Sequence, residues 1–236
     1  MTELNTYGTI FTVSRLIARA EKSRLRAGKK ASYHHGDLKN ALIEAGVDIL
    51  SREGVAGLSL RRVAQQAGVS HAAPYAHFAD KQALIAAIST AGYARLYDVL
   101  RRVAERYEGD PSAQLIEGAW AYVKFALEDT DHFKVTLSSV VEREQDYPAF
   151  VEMSQQAFAL VLRTVESCQA EGILRPGPPD LLAVSLWSLM HGLVSLLLEK
   201  QIPSSLRSRL SIRQLLVASL NQITCIELRD SARSAR

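Results

Sequence analysis

The chain has few cysteines, and this narrows the kinds of site it can hold. Only two of its 236 residues are cysteine, Cys168 and Cys225, and no CxxC spacing occurs. Two cysteines are too few for a disulfide framework, and without paired spacing they indicate no zinc site. We therefore expect reduced thiols, with a redox-sensing pair of these two cysteines as the alternative.

Long apolar runs and targeting signals are also missing from the pattern. No apolar run approaches the roughly 18 residues that a bilayer-spanning helix needs. The first residues, MTELNTYGTIFTVSRLIARAEK, place no basic region before their short apolar patch, unlike a secretory signal peptide. The expectation is a cytoplasmic protein with no membrane partner.

Aromatic residues make up only 7% of the chain, and no alternating strand pattern of useful length is present. The apolar share is 47%, enough for a sizeable core, and Leu and Ala predominate within it, which favours helix. Glycine and proline stand in the breaks between helical runs. The sequence predicts an all-α fold of about nine helices.

The predicted helices follow from apolar periodicity and from capping residues. They run from Asp37 to Gly54, from Ser59 to Ala67, from Ser70 over a short segment, from Lys81 to about Gly109, from Asp110 and Pro111 to about Glu128, over Phe133–Val140, from Tyr147 and Pro148 to Gly172, from an Asp180 cap to Lys200, and from about Ser211 to Leu228.

Positive charge is concentrated at the N-terminal end. Through Lys81 there are 12 Lys and Arg against 7 Asp and Glu, whereas the remainder is slightly acidic. This excess of positive charge is typical of an N-terminal domain that binds a polyanion, and a solubilising tail is the alternative. Residues 1–32 form a basic arm, either unstructured or a marginal helix.

Two short helical patterns around Gly68 predict a helix-turn-helix. Leu60, Val63 and Ala64 would form the inward face of the first helix, and Gly68 would adopt the positive φ of the turn. Ser70 would cap the second helix and place Pro74 at its fourth position, where one backbone hydrogen bond is lost. A helix so short gains little stability, and presenting side chains to a DNA groove would explain it.

The string from His34 to Ile88 resembles the DNA-binding domain of the TetR/AcrR family of transcriptional regulators. The matching positions are Gly54, Ser59-Leu60, Val63-Ala64, Ala67-Gly68-Val69-Ser70, Tyr75, His77-Phe78, Lys81 and Leu84. Trp187, His191 and Gly192 resemble the Trp-His-Gly (WHG) signature of one family subgroup. The resemblance implies a DNA-binding domain over residues 33–82 and an effector-binding and dimerisation domain over residues 83–236, after the arm of residues 1–32.

The DNA contacts that this resemblance and the side-chain chemistry imply fall into two groups. Phosphate contacts are expected at the start of the first helix of the motif and at family backbone positions, and base contacts on the outward face of the second helix. Where many members carry Gly-Thr or Gly-Ser, this chain has Ala72, Ala73 and Pro74, so one hydroxyl donor is missing. The predicted DNA-binding residues are Ser59, Arg61, Arg62, Ser70, His71, Ala72, Ala73, Tyr75, His77 and Lys81.

In the C-terminal part, the resemblance implies a small-molecule pocket enclosed by the long helices. Large apolar residues and a few polar ones are the candidates, and ordinary core packing is the alternative for each. The predicted effector-binding residues are Trp120, Tyr122, Phe125, His132, Phe133, Phe158, Trp187, Met190 and His191.

The last two predicted helices carry broad apolar stripes that would pair across a two-fold axis in a homodimer. The alternative is that the stripes complete the core of a single chain. The predicted interface residues are Leu189, Leu193, Leu196, Leu197, Leu216, Leu220 and Ile223.

Together these features predict a ligand-responsive regulator that binds double-stranded operator DNA as a homodimer. A repressor released by an unidentified small-molecule effector is the first interpretation. An activator or dual regulator, or a constitutive DNA-binder without an effector pocket, is the alternative. No phosphate loop, catalytic triad pattern or metal-ligand spacing stands out, so we expect neither an enzyme nor a metal or cofactor.

Overall fold

The computed structural model describes residues 38–137 and 141–229. Over these residues it has nine α-helices, two short 3₁₀ helices and no strand, which confirms the predicted all-α fold. The α-helices are α1 (Leu38–Gly57), α2 (Leu60–Gln66), α3 (Lys81–Arg106), α4 (Pro111–Glu128), α5 (Thr130–Thr136), α6 (Pro148–Ala170), α7 (Pro179–Leu198), α8 (Ser204–Arg207) and α9 (Ile212–Leu220), and the 3₁₀ helices are Ala73–Ala76 and Glu144–Asp146. The basic arm of residues 1–32 and Asp37 lie outside the described residues.

Several helix starts are set by capping side chains, and the cap predicted at Asp110 is among them. The Asp110 carboxylate accepts a hydrogen bond from the Ala113 amide at 2.9 Å, and Pro111 occupies the first helical position of α4. Asp80 caps α3 in the same way, through the Ala83 amide at 2.8 Å. These caps satisfy amides that the first helical turn leaves without a partner.

Several predicted helix bounds differ from the structure. Helix α1 ends at Gly57 rather than Gly54, and α5 begins at Thr130 rather than Phe133. Helix α7 begins at Pro179 rather than after an Asp180 cap, because the fixed φ of proline suits the first helical position. Helix α9 ends at Leu220 rather than near Leu228. There the Asn221 side-chain oxygen accepts a hydrogen bond from the Leu228 amide at 2.7 Å, which folds the chain back instead of continuing the helix.

Helix α3 is the longest helix among the described residues, and it packs against α4, α5 and α6. Its first half also packs against α1, where Ile88 lies directly over Gly46. Helix α3 therefore packs both against the small N-terminal helices and within the larger bundle. The boundary predicted between residues 82 and 83 falls at the start of this helix and stays a prediction.

Two groups of apolar side chains form the interior. The first comes from α1, α2, the connection from α2 to α3 and the start of α3, and includes Leu42, Val63, Phe78 and Leu84. The second is a larger core built by α4, α6, α7 and α9 with part of α3, in which Val123, Val165 and Leu216 are fully buried. Burial of this apolar surface is the main stabilising contribution to the fold.

Helix α7 is apolar over nearly its whole length. By length and composition alone it is long and apolar enough to cross a membrane, contrary to the expectation that no such run is present. Here Leu186, Met190 and Val194 on one side of it are buried in the larger core. A core helix of a bundle has the same composition, so this single helix is weak evidence for a membrane span.

Helices α3 and α5 approach each other closely at Gly92. A Cβ atom at Gly92 would collide with the buried side chain of Thr136, whereas a Cβ at Gly118 of α4 would have no heavy atom of another element within 4 Å. The two helical glycines therefore differ in how much space surrounds them.

Replacing each glycine by alanine should change stability in opposite directions. We expect Gly92→Ala to lower the free energy of unfolding by about 1–3 kcal/mol through overpacking. Gly118→Ala should raise it by about 0.5–1 kcal/mol, because alanine loses less backbone entropy in a helix. Urea unfolding followed by circular dichroism measures both, and equal effects of the two variants would contradict the close packing of α3 on α5.

Candidate nucleic-acid interface and internal cavity

The junction between α1 and α2 is stabilised by Arg62, which the sequence analysis predicts to contact DNA. Helix α1 kinks at Gly54, where φ is +67°, and ends at Gly57. The Arg62 guanidinium donates to both carboxylate oxygens of Glu53 and, at 2.9 Å, to the Gly57 carbonyl. This pairing lowers the pKa of Glu53 through the Arg62 hydrogen bond and raises that of Arg62. Arg62 therefore has a structural role in this state of the chain.

The turn after α2 has the geometry of a helix-turn-helix. Gly68 adopts a φ of +70°, as predicted, which is unfavourable for residues with a Cβ. The Val69 amide then donates to the Ala64 carbonyl at 2.9 Å, which closes the end of α2. Val63 and Ala64 are fully buried, so the next segment can cross close to α2.

We call residues 70–78 the recognition segment. The structure corrects the prediction of a short α-helix capped by Ser70, because only Ala73–Ala76 are helical and the helix is of the 3₁₀ type. The cause is Pro74, which lacks the amide that an α-helix would pair with the Ser70 carbonyl. That carbonyl instead accepts from the Ala73 amide at 3.0 Å, a bond of the 3₁₀ kind.

The recognition segment separates an inner from an outer face. Pro74 and Phe78 are buried, whereas His71, Ala72, Tyr75 and His77 are exposed. The Tyr75 side chain is 62% exposed, which is high for a large aromatic residue. Ser70 is also exposed and Ala73 is half-buried. An aromatic ring projecting beside two histidines on a short rigid segment can reach a groove and its flanking phosphates.

The other predicted DNA contacts surround this segment on α2 and α3. The Ser59 hydroxyl accepts from the Arg62 amide at 3.2 Å and so caps α2. The Lys81 ammonium donates to the Val55 carbonyl at the end of α1. Arg61 is exposed and makes no ion pair or hydrogen bond with the residues the structure describes, so its charge is available to a phosphate.

A cavity of about 520 Å³ lies in the larger bundle. Its walls come from α3, α4, α6 and α7, with Leu137 and Glu144 from the α5–α6 connection. Helix α4 contributes Gly118, whose missing side chain leaves open space on the wall. This volume lies in the range of small-molecule sites, and the walls are mostly apolar.

Four of the nine predicted effector residues line this cavity, namely Tyr122, Phe158, Trp187 and Met190. The other five, Trp120, Phe125, His132, Phe133 and His191, do not line it and belong to surrounding layers. Helical periodicity explains the division, because residues on one helix face different directions and only the inward stripe meets the cavity.

His191 and Phe133, two of these five residues, lie directly behind the cavity wall. The Tyr122 hydroxyl and His191 Nδ1 lie 3.1 Å apart and share a hydrogen bond, and the His191 ring stacks on Phe133 at 5.8 Å. Burial raises the pKa of Tyr122, with a smaller opposing contribution from the Trp187 indole. Tyr122 therefore stays protonated and connects the cavity to the layer behind it.

His132 has a different setting from the one predicted. It is buried, with Nδ1 2.8 Å from an Asp129 carboxylate oxygen and Nε2 3.4 Å from Glu44. Arg95 of α3 also pairs with both acids. This cluster of Glu44, Arg95, Asp129 and His132 joins α1 to α3 and to the α4–α5 junction, so His132 serves packing between helices rather than the cavity wall.

Trp120 contacts Arg213 rather than the cavity. The Arg213 guanidinium lies 5.6 Å from the centre of the Trp120 ring. Arg213 in turn pairs with Glu117 at 2.6 Å. These contacts join α4 to α9 outside the cavity. Trp120 therefore stabilises the packing of the last helix.

Sequence reasoning missed several residues of the cavity wall. Tyr93, Gln114, Glu144, Phe150 and Ser154 all line it. The position of Tyr93 three residues before the buried Leu96 was the available signal, because the two share a face of α3. Glu144 carried no such signal, since a carboxylate in a polar connection looks like a solvated residue.

Three of the seven predicted dimer residues lie in the interior of the chain itself, and the predicted interface stays a prediction. Leu193, Leu216 and Leu220 are buried in the core of the chain itself, because an apolar residue on these helices serves the internal face first. Leu196 is exposed, and Leu189, Leu197 and Ile223 are half-buried. The exposed side of α7 instead carries Leu181, Val184, Ser185, Ser188, Gly192, Ser195 and Leu196.

The two cysteines differ in environment. Cys168 is fully buried, and burial raises the pKa of its thiol to about 12. Cys225 is exposed. A protonated, inaccessible thiol is a poor partner for disulfide exchange, so the reduced thiols expected from the sequence suit this arrangement better than a redox-sensing pair.

Comparison with known families gives two matches. Residues 42–88 match the model "Bacterial regulatory proteins, tetR family", and residues 115–219 match the model "Tetracyclin repressor-like, C-terminal domain". Together they cover the helix-turn-helix and most of the bundle that encloses the cavity.

Two curated relatives agree with these matches, and a solved structure shares the fold. The chain is 26% identical over 111 residues to the HTH-type transcriptional regulator YobS of Bacillus subtilis (strain 168), which covers 47% of this chain and 57% of YobS, less than two thirds of its length. It is 23% identical over 215 residues to the HTH-type transcriptional regulator AcrR of Shigella flexneri, covering 86% and 98% of the two chains. A structure of a protein with unknown function from Rhodococcus sp. RHA1 has a TM-score of 0.66 and 30% identity, over 82% and 96% of the two chains.

The chain belongs to the TetR family of bacterial transcriptional regulators. Members of this family are DNA-binding regulators and not enzymes, which confirms the non-enzymatic interpretation. The finer assignment to the WHG subgroup from Trp187, His191 and Gly192 stays a prediction.

The two neighbouring arginines of α2 should respond differently to removal. Arg61→Ala should weaken DNA binding and reduce the slope of log affinity against log salt by about one, the value for one lost phosphate contact. Arg62→Ala should lower the melting temperature, because Glu53 and the Gly57 carbonyl lose their partner. Fluorescence anisotropy with a DNA duplex at several salt concentrations and thermal melts separate the two, and a reversed pattern would contradict these roles.

Proposed function

We propose that this chain is a homodimeric, ligand-responsive repressor that leaves a near-palindromic operator when a small molecule occupies the cavity. We further propose that it acts in the cytoplasm. The observation that carries the proposal is the position of α3. This helix starts at Lys81, directly after the recognition segment, and its later residues form one wall of the cavity.

A ligand in this cavity would act on α3 from one side. Leu96 and Leu100 line the cavity, while Ile88 on the same helix packs over Gly46 of α1. A shift of α3 would therefore change the position of the recognition segment. The operator affinity falls if the ligand binds the non-DNA state more tightly, typically by about 1–3 kcal/mol.

The exposed side of α7 supports the homodimer part of the proposal. Leu181, Val184 and Leu196 are exposed there, with Ser188 and Gly192 between them. Small residues at the centre of such a face let a second helix approach closely, and leucine and valine at its edges exclude water. A two-fold axis through this face would place two recognition segments on successive major grooves.

The open cavity weighs against the constitutive DNA-binder, in which side chains would fill this space. An activator or dual regulator would use the same helix-turn-helix and the same cavity. The sign of regulation depends on where the operator lies relative to the promoter. The direct test is a footprint on genomic fragments selected by binding, followed by a promoter reporter. Protection that overlaps the promoter, with lower expression when the protein is present, supports a repressor, and raised expression would contradict it.

Filling the cavity should separate DNA binding from the ligand response. Because a side chain at Gly118 points into open space, Gly118→Leu should fold normally, keep wild-type operator affinity and fail to respond to compounds that release the wild-type protein. Gly118→Ala is the matched control and should still respond. Operator anisotropy with a compound library measures this, and equal release of the leucine variant would contradict a role for the cavity.

Charge on the exposed side of α7 should separate the two chains. A Cβ at Gly192 meets nothing within 4 Å inside the chain, so Gly192→Arg should fold but give monomers in size-exclusion chromatography with light scattering. Glu128→Arg, at an exposed site at the end of α4, is the control and should leave the oligomeric state unchanged. A dimeric Gly192→Arg protein would contradict this interface.

A further inference from the structure

The charges on the cavity wall restrict what it can bind. Among the described lining residues, Glu144 is the one acidic side chain, and none is Lys, Arg or His. The neighbouring residues 138–140, Ser-Ser-Val, carry no charge in the sequence. A carboxylate or phosphate in this cavity would lose its water without gaining a cationic partner, which is costly. The wall therefore disfavours anionic ligands.

Polar groups lie at both ends of the cavity, with Gln114 beside Ala104 at one end and Glu144 toward Tyr93 at the other. Glu144 lies close enough to Tyr93 for its charge to contribute, after burial, to raising the pKa of that hydroxyl. Tyr122 also faces this region. Glu144 makes no ion pair with the residues that the structure describes, so its charge is available to a ligand.

Between these ends the wall is mostly apolar and extended. On α3 the lining residues run from Tyr93 to Ala104, a distance of about 16 Å at the rise of an α-helix. Leu96, Leu100 and Phe158 line the space between. The cavity thus combines a long apolar body with an acidic, aromatic end.

We propose that the effector site takes an amphipathic organic cation, whose apolar chain lies along α3 and whose charged nitrogen lies at Glu144 and Tyr93. The exposed Glu144 carboxylate supplies the opposite charge, and the faces of tyrosine rings attract cations. The inference rests on the proposed function only in treating the occupant as the effector, and binding itself can be measured without DNA.

Three probes with the same ten-carbon chain test the choice of charge. They are decyltrimethylammonium bromide, 1-decanol and sodium decanoate, each used below its aggregation concentration. Trp187 lines the cavity and the chain has one other tryptophan, so Trp120→Phe makes Trp187 the single reporter. The cation should bind at least about fivefold more tightly than decanoate, with decanol between them. Decanoate binding as tightly as the cation would overturn the proposal.

Two variants locate the bound probe. Glu144→Gln should weaken decyltrimethylammonium binding by about two- to fivefold, as for a partly exposed ion pair, and leave decanol unchanged. Glu142→Gln, in the same connection but not on the wall, is the matched control and should bind all three probes normally. Gly118→Leu should abolish binding of all three. Unchanged affinity of the cation for Glu144→Gln or Gly118→Leu would overturn the proposal.

Operator release distinguishes this inference from the function on which it rests. If decyltrimethylammonium binds at Glu144 but leaves operator affinity unchanged, the charge preference of the site stands and the ligand-responsive function is contradicted. If decanoate alone binds and releases the operator, the function stands and the cationic ligand is contradicted.

Discussion

Helix α3 packs against both the small N-terminal helices and the larger bundle, and so fixes how these two parts are connected. This helix begins at the Asp80 cap beside the recognition segment, crosses α1 at Gly46 and α5 at Gly92, and then forms one wall of the cavity. Both crossings use glycines, so the helices lie close enough that a displacement of one must be absorbed by its neighbours. Because α3 is closely packed in both places, a ligand in the cavity can change the position of the N-terminal helices.

Much of the fold could be predicted from the sequence because helix signals are local. The Asp110-Pro111 start of α4 and the positive φ of Gly68 follow from capping chemistry and from steric limits on the backbone. The recognition segment shows the limit of such reasoning, since Pro74 changes the type of helix and not merely its length. The premature end of α9 depends on Asn221 holding Leu228, a contact seven residues away that no local pattern signals.

The candidate site was less predictable, because membership depends on which way each side chain points from its helix and not on residue type. Tyr122 and Phe125 are both large residues of one helix, yet only Tyr122 meets the cavity. Leu193 and Leu196 share a helix, and only Leu196 is exposed. Arg61 and Arg62 are adjacent and chemically identical, but Glu53 binds only Arg62. These distinctions require the relative positions of helices, which depend on packing between distant parts of the chain.

The proposed repressor mechanism requires that occupancy of the cavity moves the recognition segment through α3. The most direct measurement is the distance between spin labels at Ala76→Cys in the two chains of a dimer, with Cys168→Ala and Cys225→Ser removing the native thiols. Without ligand, we expect a distance near the roughly 34–36 Å between successive major grooves. A compound that quenches Trp187 should shift this distribution, and an unchanged distribution at saturation would rule out transmission through α3.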